Sequence, residues 1–166
     1  IELLEEIIGE LLDGKQENVS EIYNNYCKRA LNPKDINKWT VKKTITKSVL
    51  NPERSHEQKV LDACNLAIDS KVITNIQEGD KVWVYTALNG QKQKVVKGEP
   101  VFKKDGTPSM VDSTRLKFAQ MYDGDHDKWH FVKRVFATIS ILENVLDMSQ
   151  IENYSLKKTR KVLESL

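Results

Sequence analysis

Residues 39–47, with the sequence Trp-Thr-Val-Lys-Lys-Thr-Ile-Thr-Lys, constrain the fold of this chain more than any other segment. β-branched and aromatic residues alternate here with lysines, which favours an extended strand over a helix. No acidic residue lies between Asp35 and Glu53. A strand of this composition is a poor candidate for a core. It is a good candidate for a surface that meets a phosphate backbone.

The segments around this strand predict a mostly helical α+β fold. Apolar residues recur at helical spacing over residues 1–12, 20–31 and 58–68. In the first of these helices, Ile8 and Leu12 fall on the predicted inner face. Ser55 and Gln58 have the spacing of a capping box, which predicts where the third helix begins.

The carboxy-terminal part of the chain is also predicted to be helical. A long helix follows Asp127, with an apolar stripe from Val132 to Val145 and Leu146 at helical spacing. A last helix is predicted over residues 155–166.

Residues 72–112 are predicted to form a β-rich subdomain or insertion. A strand over 81–87 leads to Asn89 and Gly90, a strong hairpin signal, with a return strand over 91–97. Residues 98–114 contain two prolines and two glycines and are predicted to be irregular. A short helix is predicted over 116–122.

Positive charge is concentrated although the net charge of the chain is only +2. Beyond residues 39–47, the predicted hairpin adds Lys92, Lys94 and Lys97. Lysines on a surface strand are often merely solvated. If these faces align, however, they offer a groove for a nucleic-acid backbone, to which threonine hydroxyls would add neutral donors.

Two other functions are compatible with the sequence. Residues 1–14 carry five acidic residues and no basic one, so this helix could dock on a protein partner. His126 and His130 have a spacing that could hold zinc. A small metal-dependent nuclease is the other alternative, and its candidate residues are Asp123, Asp125, Asp127 and His130. The structural alternative is that these aspartates cap the following helix.

Cys27 and Cys64 each lie within an apolar helical pattern and are predicted to be buried thiols in a reducing compartment. No apolar run approaches the roughly 20 residues of a membrane helix, and no signal peptide is visible. An intracellular protein without a membrane segment is therefore expected.

The order of these segments resembles the carboxy-terminal part of a family B DNA polymerase. Residues 39–47 resemble the lysine-containing segment that follows the palm in that family. Residues 77–85, Gln-Glu-Gly-Asp-Lys-Val-Trp-Val-Tyr, resemble its Gly-Asp-Lys strand. Residues 125–131 and the Ile-Ser-Ile-Leu-Glu run at 139–143 resemble its last motif and terminal helix. The resemblance extends over about residues 1–163.

The resemblance implies that residues 1–166 form a polymerase thumb, a helical domain with a small antiparallel β-hairpin or sheet subdomain. In the family, the thumb lies against the minor-groove side of the primer–template duplex and holds it through its backbone. Lys47 matches a lysine that contacts a primer phosphate in related polymerases. Asp80 and Lys81 match a turn that we interpret as structural. We predict DNA contacts at Lys42, Lys43, Thr44, Thr46, Lys47, Lys92 and Lys94.

The palm motifs that carry the metal-binding aspartates of the family do not occur in this sequence. The resemblance therefore implies a DNA-directed DNA polymerase, a nucleotidyltransferase, to which this chain supplies no catalytic residue, metal ligand or cofactor site. Mg²⁺ would bind in the palm. We expect a fragment or the small part of a split polymerase, since the sequence starts at Ile1 within a helical pattern. Its expected partners are the primer–template duplex and the palm and fingers, in the cytoplasm of a bacterial or virus-infected cell.

Overall fold

The computed structural model of the chain describes residues 2–144 and a few residues beyond them, namely Met148, Ile151, Tyr154, Ser155, Lys158, Arg160 and Lys161. The backbone packs into two compact units. The first joins Ile1–Lys34 to Lys128–Leu166, and the second is Asp35–Asp127. The β-rich subdomain predicted over 72–112 falls inside the second unit.

The fold is α+β with more helix than strand, as predicted. The helices are α1 (Glu2–Leu12), α2 (Val19–Leu31), α3 (Lys47–Leu50), α4 (Ser55–Asp69) and α5 (Lys128–Ser140). The strands are β1 (Val41–Thr44), β2 (Lys81–Gln93), β3 (Val95–Val96), β4 (Glu99–Pro100) and β5 (Met110–Phe118).

The first unit contains α1, α2 and α5, which bury an apolar stripe against one another. Tyr23 and Phe131 are fully buried between these helices. The prediction that Ile8 and Leu12 lie on the inner face of α1 is wrong, because these side chains are 45% and 84% exposed. A helix packed on one side buries only a stripe of its surface, and in α1 the buried residues are Leu3 and Ile7.

The second unit contains a three-stranded antiparallel sheet in the order β1-β2-β5 and a small hairpin of β3 and β4. Helix α4 covers one face of the sheet. Its side of the core is formed by Val60, Ala63, Cys64 and Ala67, and the sheet contributes Val82, Val84 and Phe118. All of these side chains except Phe118 are small or β-branched.

The strand predicted over residues 39–47 is shorter than expected. Ile36–Trp39 forms a 3₁₀ turn, and only Val41–Thr44 are in the strand β1. Ile45 is fully buried in the core. Thr46 then caps α3, so that Lys47 is helical rather than extended. The start of α3 therefore ends the alternation three residues earlier than predicted.

The hairpin predicted at Asn89 and Gly90 is wrong. β2 continues through both residues with a bulge between Leu88 and Gln91, and it pairs with β5 on either side. Only Gly90 has a positive φ there, 71°, whereas a two-residue type I′ turn needs two such residues. That condition is met by Lys97 and Gly98, with φ of 51° and 80°, and the tight turn lies there.

Two further predictions in this region differ from the structure in whole or in part. The segment 98–114, expected to be irregular, contains β4 and the start of β5. The segment 116–122, expected to be helical, begins with the end of β5, where Phe118 is 3% exposed against the core, and only Ala119–Met121 is helical, as a 3₁₀ turn. β4 pairs with β3 and β5 pairs with β2, and these tertiary contacts override local propensity.

The other helices agree with their predictions. α2 and α4 match closely, and α5 begins directly after Asp127. The capping residue of α4 differs, since Glu57 Oε2, and not Gln58, accepts hydrogen bonds from the backbone N–H groups of Glu53 and Arg54 at 3.1 and 3.2 Å. Val145, Leu146 and most of the helix predicted over 155–166 lie outside the described residues.

Cys27 and Cys64 are buried and form no disulfide, as predicted. Burial raises the pKa of the Cys27 thiol to about 11. None of the helices in the described part of the chain has the length and hydrophobicity of a transmembrane span.

We expect Gly90→Ala to destabilise the second unit by about 1–2 kcal/mol, because an alanine at positive φ is strained even though open space surrounds the position. The matched control is Gly9→Ala in α1, where open space also surrounds the glycine but the backbone is helical. That change should stabilise by about 0.5–1 kcal/mol. Urea denaturation measures both, and a neutral Gly90→Ala would contradict the bulge.

Candidate nucleic-acid interface

Strand β1 is the exposed edge of the sheet, and all four of its residues are solvent-accessible. Its register with β2 pairs Lys42 with Trp83 and Thr44 with Lys81. Directly opposed residues of an antiparallel pair share a face of the sheet. These four residues, which we call the edge face, therefore lie together on the side opposite α4.

Lys43 lies on the other face of β1, opposite Val82, and is exposed because β1 is an edge strand. The two predicted lysines thus project to opposite sides of one strand. A phosphate backbone that runs along this edge could be reached from both. Lysines on an edge strand also have a structural explanation, since they discourage pairing with another chain.

Thr46 and Lys47 have left the strand. The Thr46 Oγ1 accepts a hydrogen bond from the Val49 N–H at 3.2 Å, and thereby caps α3. Lys47 lines a shallow cleft of about 470 Å³ together with Ser48, Asn51, Glu53, Arg54 and Glu57. Two carboxylates accompany the two cations, so the cleft is not a simple anion site.

Lys92 and Lys94 are not brought to the edge face. Lys92 is on β2, opposite Val111, and lies nine residues along the strand from Trp83. At the rise of a β-strand this corresponds to about 30 Å. Lys94 follows the end of β2, where its backbone N–H donates to the Ser109 carbonyl. The predicted DNA-binding residues therefore form two separate groups, and the group on β1 shares its sheet face with Lys81 and Trp83.

The sequence-based prediction missed two residues of the edge face. Lys81 was interpreted as part of a structural turn, and Trp83 was not considered. Asp80 does form that turn, since its side chain accepts a hydrogen bond from the Gln77 N–H at 2.8 Å. Lys81 instead faces solvent beside Trp83, which is 50% exposed. The alternation of Lys81, Trp83 and buried Val82 and Val84 was the signal that could have revealed this.

A buried polar cluster covers the neighbouring part of this sheet face, at Tyr85 and Lys117. Lys117 Nζ donates to Asp125 Oδ2, and the Tyr85 hydroxyl donates to Asp125 Oδ1 at 2.6 Å. Tyr122 packs edge-on against Tyr85, with ring centroids 5.4 Å apart, and its hydroxyl lies 3.1 Å from His126 Nδ1. The side chains of Lys117 and Asp125 are only 9% and 23% exposed.

The protonation state of Asp125 is set by these partners. Burial would raise the pKa of Asp125, but the hydrogen bonds from Lys117 and Tyr85 outweigh it and hold that pKa below its ordinary value. Burial and the bond to Asp125 raise the pKa of Tyr85. Asp125 is thus a carboxylate that joins β2 to β5 through their side chains.

This arrangement bears on the nuclease alternative. Both oxygens of Asp125 accept hydrogen bonds from protein groups. Among the described residues, no group of three or more His, Cys, Asp or Glu side chains could hold a metal ion. Asp127 directly precedes α5, and its N–H donates to the Thr86 carbonyl at 2.9 Å.

Comparison with known proteins identifies no relative, since no family model, no curated protein and no solved structure matches the chain. The resemblance to a polymerase thumb therefore depends on the sequence motifs alone. Inference about function depends on those motifs and on the geometry of the edge face.

We expect Thr46→Ala to destabilise the second unit by about 0.5–1 kcal/mol, because the substitution removes the cap of α3. Thr46→Ser should retain most of the stability. The matched control is Thr44→Ala, on the exposed strand, which should stay within about 0.5 kcal/mol of the wild type. Thermal unfolding followed by circular dichroism distinguishes these outcomes. Equal effects at both positions would mean that the cap contributes nothing.

We expect Asp125→Asn to destabilise by about 2–3 kcal/mol at neutral pH, since it leaves Lys117 buried without its counter-charge. The pKa of Asp125 is lower folded than unfolded. Its contribution to stability is therefore complete above the unfolded pKa of about 3.9 and is lost as the pH falls through the folded pKa.

The measurement is urea denaturation of both proteins from pH 7 down to pH 2. The difference between wild type and Asp125→Asn should shrink as the solution becomes acidic. Asp112→Asn, an exposed carboxylate on β5, is the control and should have little effect. A difference that stays constant with pH would show that the ionised carboxylate is not the stabilising form.

Proposed function

We propose that the second unit is a non-catalytic DNA-binding module, which holds the phosphate backbone of a duplex as the thumb of a DNA polymerase holds its primer–template. The observation that carries this proposal is the exposed edge strand β1. The register of β1 places Lys42, Thr44 and Lys81 on one face and Lys43 on the other. No acidic residue between Asp35 and Glu53 offsets this charge along the chain.

The residue types support contact with the backbone rather than reading of base sequence. Lysine is a flexible point charge suited to phosphate, and threonine adds a neutral hydroxyl donor. Residues 39–47 contain no arginine, asparagine or glutamine, the side chains that bind base edges in a bidentate manner. A surface of this kind grips DNA without regard to sequence, as a polymerase must.

The proposed role requires chemistry from elsewhere. The palm and fingers would supply the catalytic aspartates and Mg²⁺, either in the same polypeptide or in a separate subunit. This chain would keep the primer end in register with that palm. Asp125 supports this division of roles, since it is engaged in an internal ion pair with Lys117.

Helix α1 favours a second candidate function, the docking of a protein partner. Ile8 and Leu12 are one helical turn apart and both exposed, and acidic residues surround them. Glu6 and Glu10 are less available, because they accept hydrogen bonds from the Tyr26 hydroxyl and the Asn18 amide. In a polymerase, this exposed stripe would be a place for the palm to pack.

The test is binding of a labelled primer–template duplex, measured by fluorescence anisotropy over a range of salt concentrations. We expect affinity to fall steeply with salt, since each Lys–phosphate contact releases about one counterion. In Lys42→Ala/Lys43→Ala, binding should weaken and the slope of log affinity against log salt should become shallower by about 2.

The matched control is Lys59→Ala, an exposed lysine on α4 in the same unit. It should leave the affinity and the salt slope close to those of the wild type. Salt-independent binding, or equal losses in the control and the double variant, would contradict the proposal.

A further inference from the structure

Trp83 is a large aromatic side chain that neither layer of the second unit buries. It is 50% exposed, although its neighbours on β2, Val82 and Val84, are 7% and 1% exposed. Those two valines point into the core beneath α4, so Trp83 must point to the opposite face. On that face the covering cluster ends at Tyr85, two residues along the strand.

Trp83 lies at a corner of the sheet. β5 begins to pair with β2 at Val84, opposite Phe118, so Trp83 lies beyond the end of that ladder. On its other side stands β1, with Lys42 directly opposite. The indole is therefore open to solvent at the edge of the sheet rather than enclosed between strands.

Two lysines occupy positions adjacent to Trp83 on this face. Lys42 is across the strand pair, at about 5 Å between Cα atoms. Lys81 is two residues away on the same face of β2, at about 6.6 Å along the strand. An exposed indole beside lysines on a sheet face combines stacking and phosphate binding, the two elements with which proteins hold single-stranded nucleic acid.

We propose that Trp83 is a stacking platform for an unpaired nucleotide, whose flanking phosphates Lys42 and Lys81 hold. This inference deepens the proposed function and rests on it, because it names the form of DNA that the edge face prefers. Within a duplex the faces of the bases are already stacked. The ligand of this site is therefore a strand that leaves a duplex, at a junction of double- and single-stranded DNA.

The test compares two labelled DNAs that share one duplex, the first blunt-ended and the second with a short single-stranded overhang. Wild-type protein should bind the overhang DNA at least about fivefold more tightly, the effect expected of one stacked base. Trp83→Ala should lose this preference and keep the salt-dependent binding of blunt duplex. Trp83→Phe, with a smaller ring, should retain part of the preference.

The matched control is Phe102→Ala, which removes an aromatic ring that is 56% exposed in the same unit. The preference for overhang DNA should persist in this variant. A second readout does not depend on the alanine variant, since overhang DNA should quench tryptophan emission of the wild type more than that of Trp83→Phe.

Each outcome separates the two proposals. If wild-type protein binds both DNAs equally and with salt dependence, Trp83 is not a platform and the backbone-binding function stands. If overhang DNA binds through Trp83 while blunt duplex does not bind, the duplex-holding function is wrong and the platform stands. Failure to bind either DNA would overturn both.

Discussion

The pairing of β1 with β2 is the interaction on which the rest of the second unit depends. Val82 and Val84 must be buried beneath α4, and this requirement fixes which face each residue of β2 occupies. The register of β1 against β2 is then fixed, because a shift of one residue would move every side chain of β1 to the opposite face of the sheet. The exposure of Lys42 and Trp83 is thus a consequence of the burial of two valines.

On its other face the same sheet is held by a buried ion pair together with the packing of Tyr122 on Tyr85. Asp125 accepts hydrogen bonds from Lys117 and Tyr85, whose residues are opposed on β5 and β2. A buried pair of this kind is costly to break, since either partner alone would be an uncompensated charge. The cluster around Asp125 covers this face of the sheet as far as Tyr85. The next residue of β2 on the same face, Trp83, is half-exposed to solvent.

Much of the helical architecture could be predicted from periodicity. The boundaries of α2 and α4 follow from apolar residues at helical spacing and from Asn32 before Pro33 at the end of α2. The strand at β1 was predicted from alternation, although it ends three residues early. The largest failure is at Asn89 and Gly90, where the dipeptide forms a bulge. A bulge and a turn share the need for a residue with positive φ, and only the pairing partner distinguishes them.

The sequence by itself determined the composition of the edge strand, its lack of acidic residues, and the helices that frame it. These properties are local, and local propensity and periodicity suffice to read them. Only the tertiary structure decided which residues share a surface. Because β2 is extended, Lys92 lies far from Lys42. Thr46 caps a helix instead of lying in the strand. Trp83 lies beside Lys42 across the strand pair. The physical reason is that strand register depends on which side chains are buried by distant segments, and no local pattern records that choice.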